Sequence, residues 1–150
     1  METSIEQALT AFFGGSERME AAQYSPLALA YIGDAVFELA VRTKVVTRAD
    51  VQVNKMHRHT THFVKAETQA RMICLLEDEL TETEHAIYKR GRNAKSVTMA
   101  KNASMKDYRM ATGFEALMGY LYLNGEFSRM MELIALGISG ILEDDKTDES

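Results

Sequence analysis

Apolar residues recur along this chain in helix-length blocks, with no alternating segment longer than a few residues. Ile5, Leu9, Phe12 and Phe13 form the first stripe, behind Thr3-Ser4-Ile5-Glu6, which has the spacing of a capping box. That predicts a short helix ending at Gly14-Gly15, then a connector from Ser16 to Tyr24. At Ser25 the pattern changes. Ser25 can cap free N–H groups, Pro26 suits the first helical position, and the residues to about Val45 are apolar on nearly every side. Such a helix is expected deep in the core, which makes Asp34, directly after Gly33, an anomaly. A carboxylate buried without partners is costly or takes up a proton, and a catalytic or metal-binding role would give it a reason to be there.

After a turn at Arg48-Ala49-Asp50, Val53, Met56, Thr60, Phe63 and Val64 return at helical spacing. A further helix, about Ala66 to Glu77, carries Ala70, Ile73, Cys74 and Leu76 on its apolar side. Thr81-Glu82-Thr83-Glu84 is a second capping box, opening a short helix with Ile87 and Tyr88 that stops at Gly91. Residues 91–104 show no period and read as a basic loop. Asp107 to Leu123 is a strongly apolar helix containing Glu115; Asn124-Gly125 breaks it, and a last helix carries Phe127, Met130, Leu133, Ile134 and Ile138. The prediction is an all-α domain of six or seven helices over residues 1–142, with a disordered acidic tail over 143–150.

Composition changes this picture in two places. The single Cys74 excludes an intramolecular disulfide and a cysteine-based zinc cage, and its apolar setting predicts a buried, inert thiol. The acidic N-terminus lacks the regions of a signal peptide, and Pro26 to Val41 is too short to span a bilayer. A cytoplasmic protein without a membrane partner is expected. Charge matters more. Against a net −5, the stretch Lys89 to Lys106 holds six Lys/Arg and no acid, which leaves −11 for the rest.

That stretch supplies cations and amides suited to a phosphate backbone: Arg90, Arg92, Asn93, Lys95, Lys101 and Asn102. No aromatic residue interleaves, so stacking on single strands is not the expected mode, whereas double-stranded RNA is read by shape, phosphates and 2′-hydroxyls. The bland alternative is a solvated basic loop. If the helices holding Asp34 and Glu115 pack side by side, their carboxylates reach a common rim. Like charges that close need a proton or a cation, and oxygen ligation by two carboxylates suits Mg²⁺. Such an ion beside a phosphodiester can supply hydroxide and stabilise the leaving oxygen. The alternative is two structural acids in a protein-interaction module. In His57-Arg58-His59-Thr60-Thr61-His62, His59 and His62 could share a face, but no third ligand completes a zinc site. No GxSxG, P-loop or GxGxxG occurs.

Tyr31-Ile32-Gly33-Asp34-Ala35-Val36 resembles the signature helix of ribonuclease III endonuclease domains, and Phe114-Glu115-Ala116-Leu117-Met118-Gly119 resembles their second acidic helix. With Asn54-Lys55-Met56-His57, Arg90 to Lys95 and Asp107-Tyr108-Arg109, residues 20–140 look like the short Mini-ribonuclease III branch, which has no double-stranded-RNA-binding domain. The signature helix departs from the full-length enzymes, with Ala30 and Leu27 where those carry glutamates and Thr112 where they carry an Asp. The resemblance therefore carries over only Asp34 and Glu115, as catalytic Mg²⁺ ligands. It implies a homodimer that cuts double-stranded RNA lying in a shared valley, one strand per site. Products with 5′-phosphate and 3′-hydroxyl ends are implied, with precursor 23S ribosomal RNA as substrate and a ribosomal protein as helper. An inactive RNA-binding module on the same fold is the alternative.

Overall fold

Hydroxyl caps open three of the helices. Ser25 Oγ accepts from the Ala28 N–H at 3.1 Å and starts the helix Pro26–Val46. Ser104 Oγ accepts from Asp107 N–H at 3.0 Å, ahead of Met105–Leu123. Thr81 and Glu84 form the full capping box, each side chain accepting from the other's backbone N–H, before Glu82–Arg92. The computed structural model describes residues 5–13, 19–48, 52–95 and 104–148. Among these, the helices are α1 (Ile5–Phe13), α2 (Pro26–Val46), α3 (Val53–Val64), α4 (Ala66–Leu76), α5 (Glu82–Arg92), α6 (Met105–Leu123) and α7 (Phe127–Asp148). Short 3-10 turns lie at Ala21–Gln23 and Glu77–Glu79, and the described residues contain no strand. The all-α expectation holds. The capping box at Thr3-Ser4, the turn residues Ala49 and Asp50, and Lys101 and Asn102 lie outside the described residues.

α6 is the axis. Met110 to Phe114 and Ala116 to Leu121 are buried, and α2, α4, α5 and α7 pack around it. α2 meets it along an i+4 ridge of Leu29, Gly33, Phe37, Val41 and Val45. The Phe37 ring stands edge-on to Phe114, centroids 5.1 Å apart. Of α2, only that ridge and Ala30 are submerged. Tyr31 is 84% exposed and Leu39 53%, so α2 does not lie deep on all sides, and Asp34 is exposed rather than buried. The outer face of α2 is apolar yet uncovered, which is why its pattern reads as buried all round.

Glycines let the helices touch. A Cβ on Gly33 would overlap the Glu115 carbonyl and sit 2.7 Å from Gly119 N; one on Gly119 would overlap the Leu29 carbonyl. Gly91 works the same way against α6: its Cβ would stand 2.7 Å from Ala116 Cβ and 2.8 Å from Gly113 Cα. It is therefore a contact residue and not a helix stop. α5 runs one residue further, to Arg92, and the Asn93 N–H closes it on the Lys89 carbonyl at 3.0 Å.

Two other expectations change. α7 continues to Asp148, past the Glu143 boundary where order was expected to end. Ile138 and Ile141 are buried, and the Asp145 carboxylate accepts from Arg71 Nη2 at 3.1 Å and lies 3.4 Å from His62 Nε2, which ties the end of α7 to α3 and α4. Cys74 is exposed rather than buried, although partial desolvation and then the Glu77 carboxylate push its thiol up, away from nucleophilic character. Glu84 is a buried acid with a full set of partners. Arg129 bridges both its oxygens at 2.8 and 2.9 Å, and that hydrogen bonding holds its carboxyl below the usual range. No helix among the described residues is long and apolar enough to cross a membrane.

Candidate active site

The crossing at Gly33 and Gly119 sets two carboxyls side by side. Because Gly33 rests on the backbone of Glu115, the next residue of α2, Asp34, and the Glu115 side chain of α6 meet at one rim. Asp34 is exposed; Glu115 is half-buried, the one break in the buried run of α6. The Asp34 carboxyl lies against that of Glu115. Burial first, then hydrogen bonding to Asp34 and the charge of Asp34, pushes the Glu115 carboxyl from 4.5 up to about 9. Near neutrality, without a cation, this favours the protonated form of the Glu115 carboxyl.

A third polar group, which helical periodicity alone does not mark out, faces this pair. Gln69 of α4 is 1% exposed, and its side chain lies against the Glu115 carboxyl, where it favours the charged form. Its Nε2 nevertheless completes no hydrogen bond, leaving a buried orphan donor. The signal was available: Ala66, Gln69, Ala70 and Ile73 share one helical face, so Gln69 stands in an apolar stripe just as Glu115 does.

The donor set fits a divalent cation. Two carboxyl oxygens meet at a rim that is open on the Asp34 side, and Mg²⁺ binds through one or two carboxylates while keeping several waters. Among the described residues no group of three or more His, Cys, Asp or Glu stands together in a metal-binding cluster. Positions where further acids would strengthen the site are filled otherwise. Ala30 is buried, Leu27 is 40% exposed, and Thr112 Oγ1 is committed to the Tyr108 carbonyl at 2.9 Å. Glu38 pairs with Arg42 at 3.1 Å.

The loop residues divide. Arg90 donates to the Ala22 and Tyr24 carbonyls at 2.8 and 3.2 Å, so part of its guanidinium braces the N-terminal connector. Arg92 stacks over the Tyr88 ring at 5.4 Å and, with Asn93, lines a cleft of about 510 Å³. Lys106 and Arg109, from the first turns of α6, complete its cationic wall, and Glu77 is its one acid. Arg109 was missed because it follows the cationic stretch and reads as part of the apolar helix. Lys95 is exposed.

An acid pair held by glycine contact between two helices, in a chain that also carries a cleft with a cationic wall, is the arrangement expected of a phosphodiester-cleaving enzyme. The chain belongs to the ribonuclease III family: the model of the Ribonuclease III domain matches residues 27–126, a span that includes both carboxyls and both glycines. Its relatives lie in the short branch. It is 49% identical to the Mini-ribonuclease 3 of Clostridium tetani over 85% of this chain and 87% of that one. It is 50% identical to the Mini-ribonuclease 3 of Enterococcus faecalis over 75% and 86%. The crystal structure of protein FN1578 from Fusobacterium nucleatum superposes with a TM-score of 0.73 at 27% identity, over 82% of this chain and 98% of that one. The class is a ribonuclease III-type endoribonuclease acting on double-stranded RNA.

Proposed function

We propose that this endoribonuclease depends on Mg²⁺ held by Asp34 and Glu115, and that it matures precursor 23S ribosomal RNA in the cytoplasm as a homodimer assisted by a ribosomal protein. The observation that carries the metal reading is the Asp34 and Glu115 carboxyls set side by side where α2 crosses α6 at Gly33 and Gly119, a closeness that pushes the Glu115 carboxyl up and suits a shared cation. The chemistry the ion supplies when bound is a more acidic water and charge beside the leaving oxygen. Glu115 releases its proton and is kept in place by α6, while the exposed Asp34 is the carboxylate that an arriving phosphodiester meets. Arg92, Asn93, Lys95, Lys101 and Asn102 follow the phosphate backbone, Lys106 and Arg109 join Arg92 and Asn93 in one cleft, and Arg90 braces the N-terminal connector. The products carry 5′-phosphate and 3′-hydroxyl ends.

The uncovered face of α2 supports the homodimer. Ala35, Val36 and Leu39 line an apolar groove of about 540 Å³ with Tyr122, Phe127 and Met131. The ribosomal RNA substrate and the helper rest on the resemblance to the Mini-ribonuclease III branch. End-labelled duplex RNA, incubated with wild type, Asp34→Asn and Glu115→Gln in Mg²⁺ or EDTA, tests the reading. Discrete cuts that need Mg²⁺ and disappear in both folded variants are expected. Cleavage by either variant at the wild-type rate would remove that residue from the site.

A further inference from the structure

The Gln69 amide is unexplained by the two-carboxylate site. It is 1% exposed among Ala70, Met72 and Ile73 of α4, a helix packed on α6, and its Nε2 has no partner. A methionine or leucine would fill the same space without a buried polar group, so the packing gives no reason for an amide. Nε2 can only donate, and the acceptor its side chain lies against is the Glu115 carboxyl. A Glu115 carboxylate has lone pairs to offer on the side of α4.

We propose that Gln69 is a positioning residue of the cation site: its Nε2 donates to the Glu115 carboxylate once that group takes up a divalent ion, and so fixes the rotamer that points at Asp34. The inference rests on the Mg²⁺ reading of the Asp34–Glu115 pair. Hydrogen bonds to a ligating carboxylate orient it and raise its affinity, and their loss typically weakens metal binding by about 10- to 100-fold.

The test is calorimetric titration of RNA-free protein with Mn²⁺, for wild type, Gln69→Met and Asp34→Asn. Mn²⁺ binding about 10-fold weaker in Gln69→Met is expected, with the half-saturating Mg²⁺ for duplex cleavage raised by a similar factor. At saturating Mg²⁺ the variant should return to within about twofold of the wild-type kcat, with unchanged KM for RNA, a rescue that a misfolded core would not show. Wild-type Mn²⁺ affinity in Gln69→Met, or a kcat loss that excess Mg²⁺ does not repair, overturns the proposal. Should that variant not fold, the side-chain amide resonance of Gln69 in the wild type decides: Mg²⁺ should move it downfield and slow its exchange, and an unmoved resonance counts against the proposal. Asp34→Asn separates the two levels. If it binds Mn²⁺ like wild type, the metal reading itself fails; if it loses binding while Gln69→Met keeps it, only the role of Gln69 does.

Discussion

In the proposed site a single carboxyl, that of Glu115, links chemistry to stability. Its carboxyl is pushed from 4.5 to about 9, with Asp34 and Gln69 facing it from α2 and α4. Between those values the metal-free folded state holds a proton that the unfolded chain has released, so unfolding gives off a proton and stability falls as pH rises. The melting temperature of EDTA-treated protein should therefore decline across this window, more steeply than that of Glu115→Gln, in which there is no proton to lose. Adding Mg²⁺ should flatten the decline, because the ion displaces the same proton. Equal slopes for wild type and Glu115→Gln in EDTA would show that Glu115 titrates as it does in water. Glu84, which is buried, moves oppositely: held low by Arg129, it adds stability above the unfolded value that is lost only as pH falls through the folded one, below the region where Glu115 acts.

What places Glu115 next to Asp34 is the crossing of α2 and α6, and at this scale the glycines decide. Gly33→Ala would drive a methyl group into the Glu115 carbonyl, where neither backbone can yield, at a cost of about 3 kcal/mol. Cleavage should fall further than the loss of folded protein explains, because the helices must part by about the width of that methyl group. Gly125→Ala is the control: its φ of +74° costs about 1 kcal/mol, but nothing lies within 4 Å, so melting should drop slightly and activity per folded molecule should hold. A Gly33→Ala enzyme as active as that control would mean the contact does not set the acid pair. Periodicity made the elements legible: α2, α3, α4 and α6 lie within two residues of where their apolar stripes put them. It misjudged Gly91 and Asp34 for one reason. A glycine needed for helix contact looks like one that ends a helix, and an apolar face left open looks like one that is buried. The end of α7 was illegible because its anchor is tertiary, with Asp145 on Arg71 and His62, and those residues lie more than 70 positions back in the chain.

At the scale of the whole molecule, the acid pair is complete within one chain, since Asp34 and Glu115 both come from it. On the proposed reading, assembly is thus not what binds the ion. In the proposed homodimer it serves to place two sites on the two strands of a duplex, and the surface offered for it is the apolar outer side of α2, where Leu39 is 53% exposed beside Ala35 and Met131. Leu39→Glu puts a charge into that groove without touching the ridge packed on α6, so the subunit should fold with little loss in melting temperature. Sedimentation equilibrium should find a dimer for the wild type and a monomer for the variant. Mn²⁺ affinity should be unchanged, whereas cutting of both strands of a duplex should fall toward background, because a lone subunit grips one strand at a time. The two readouts separate assembly from ion binding. A monomeric wild type would remove the dimer from the proposal and leave the cation site intact. A monomeric variant that still cuts both strands at full rate would mean that a single subunit turns on the duplex between cuts.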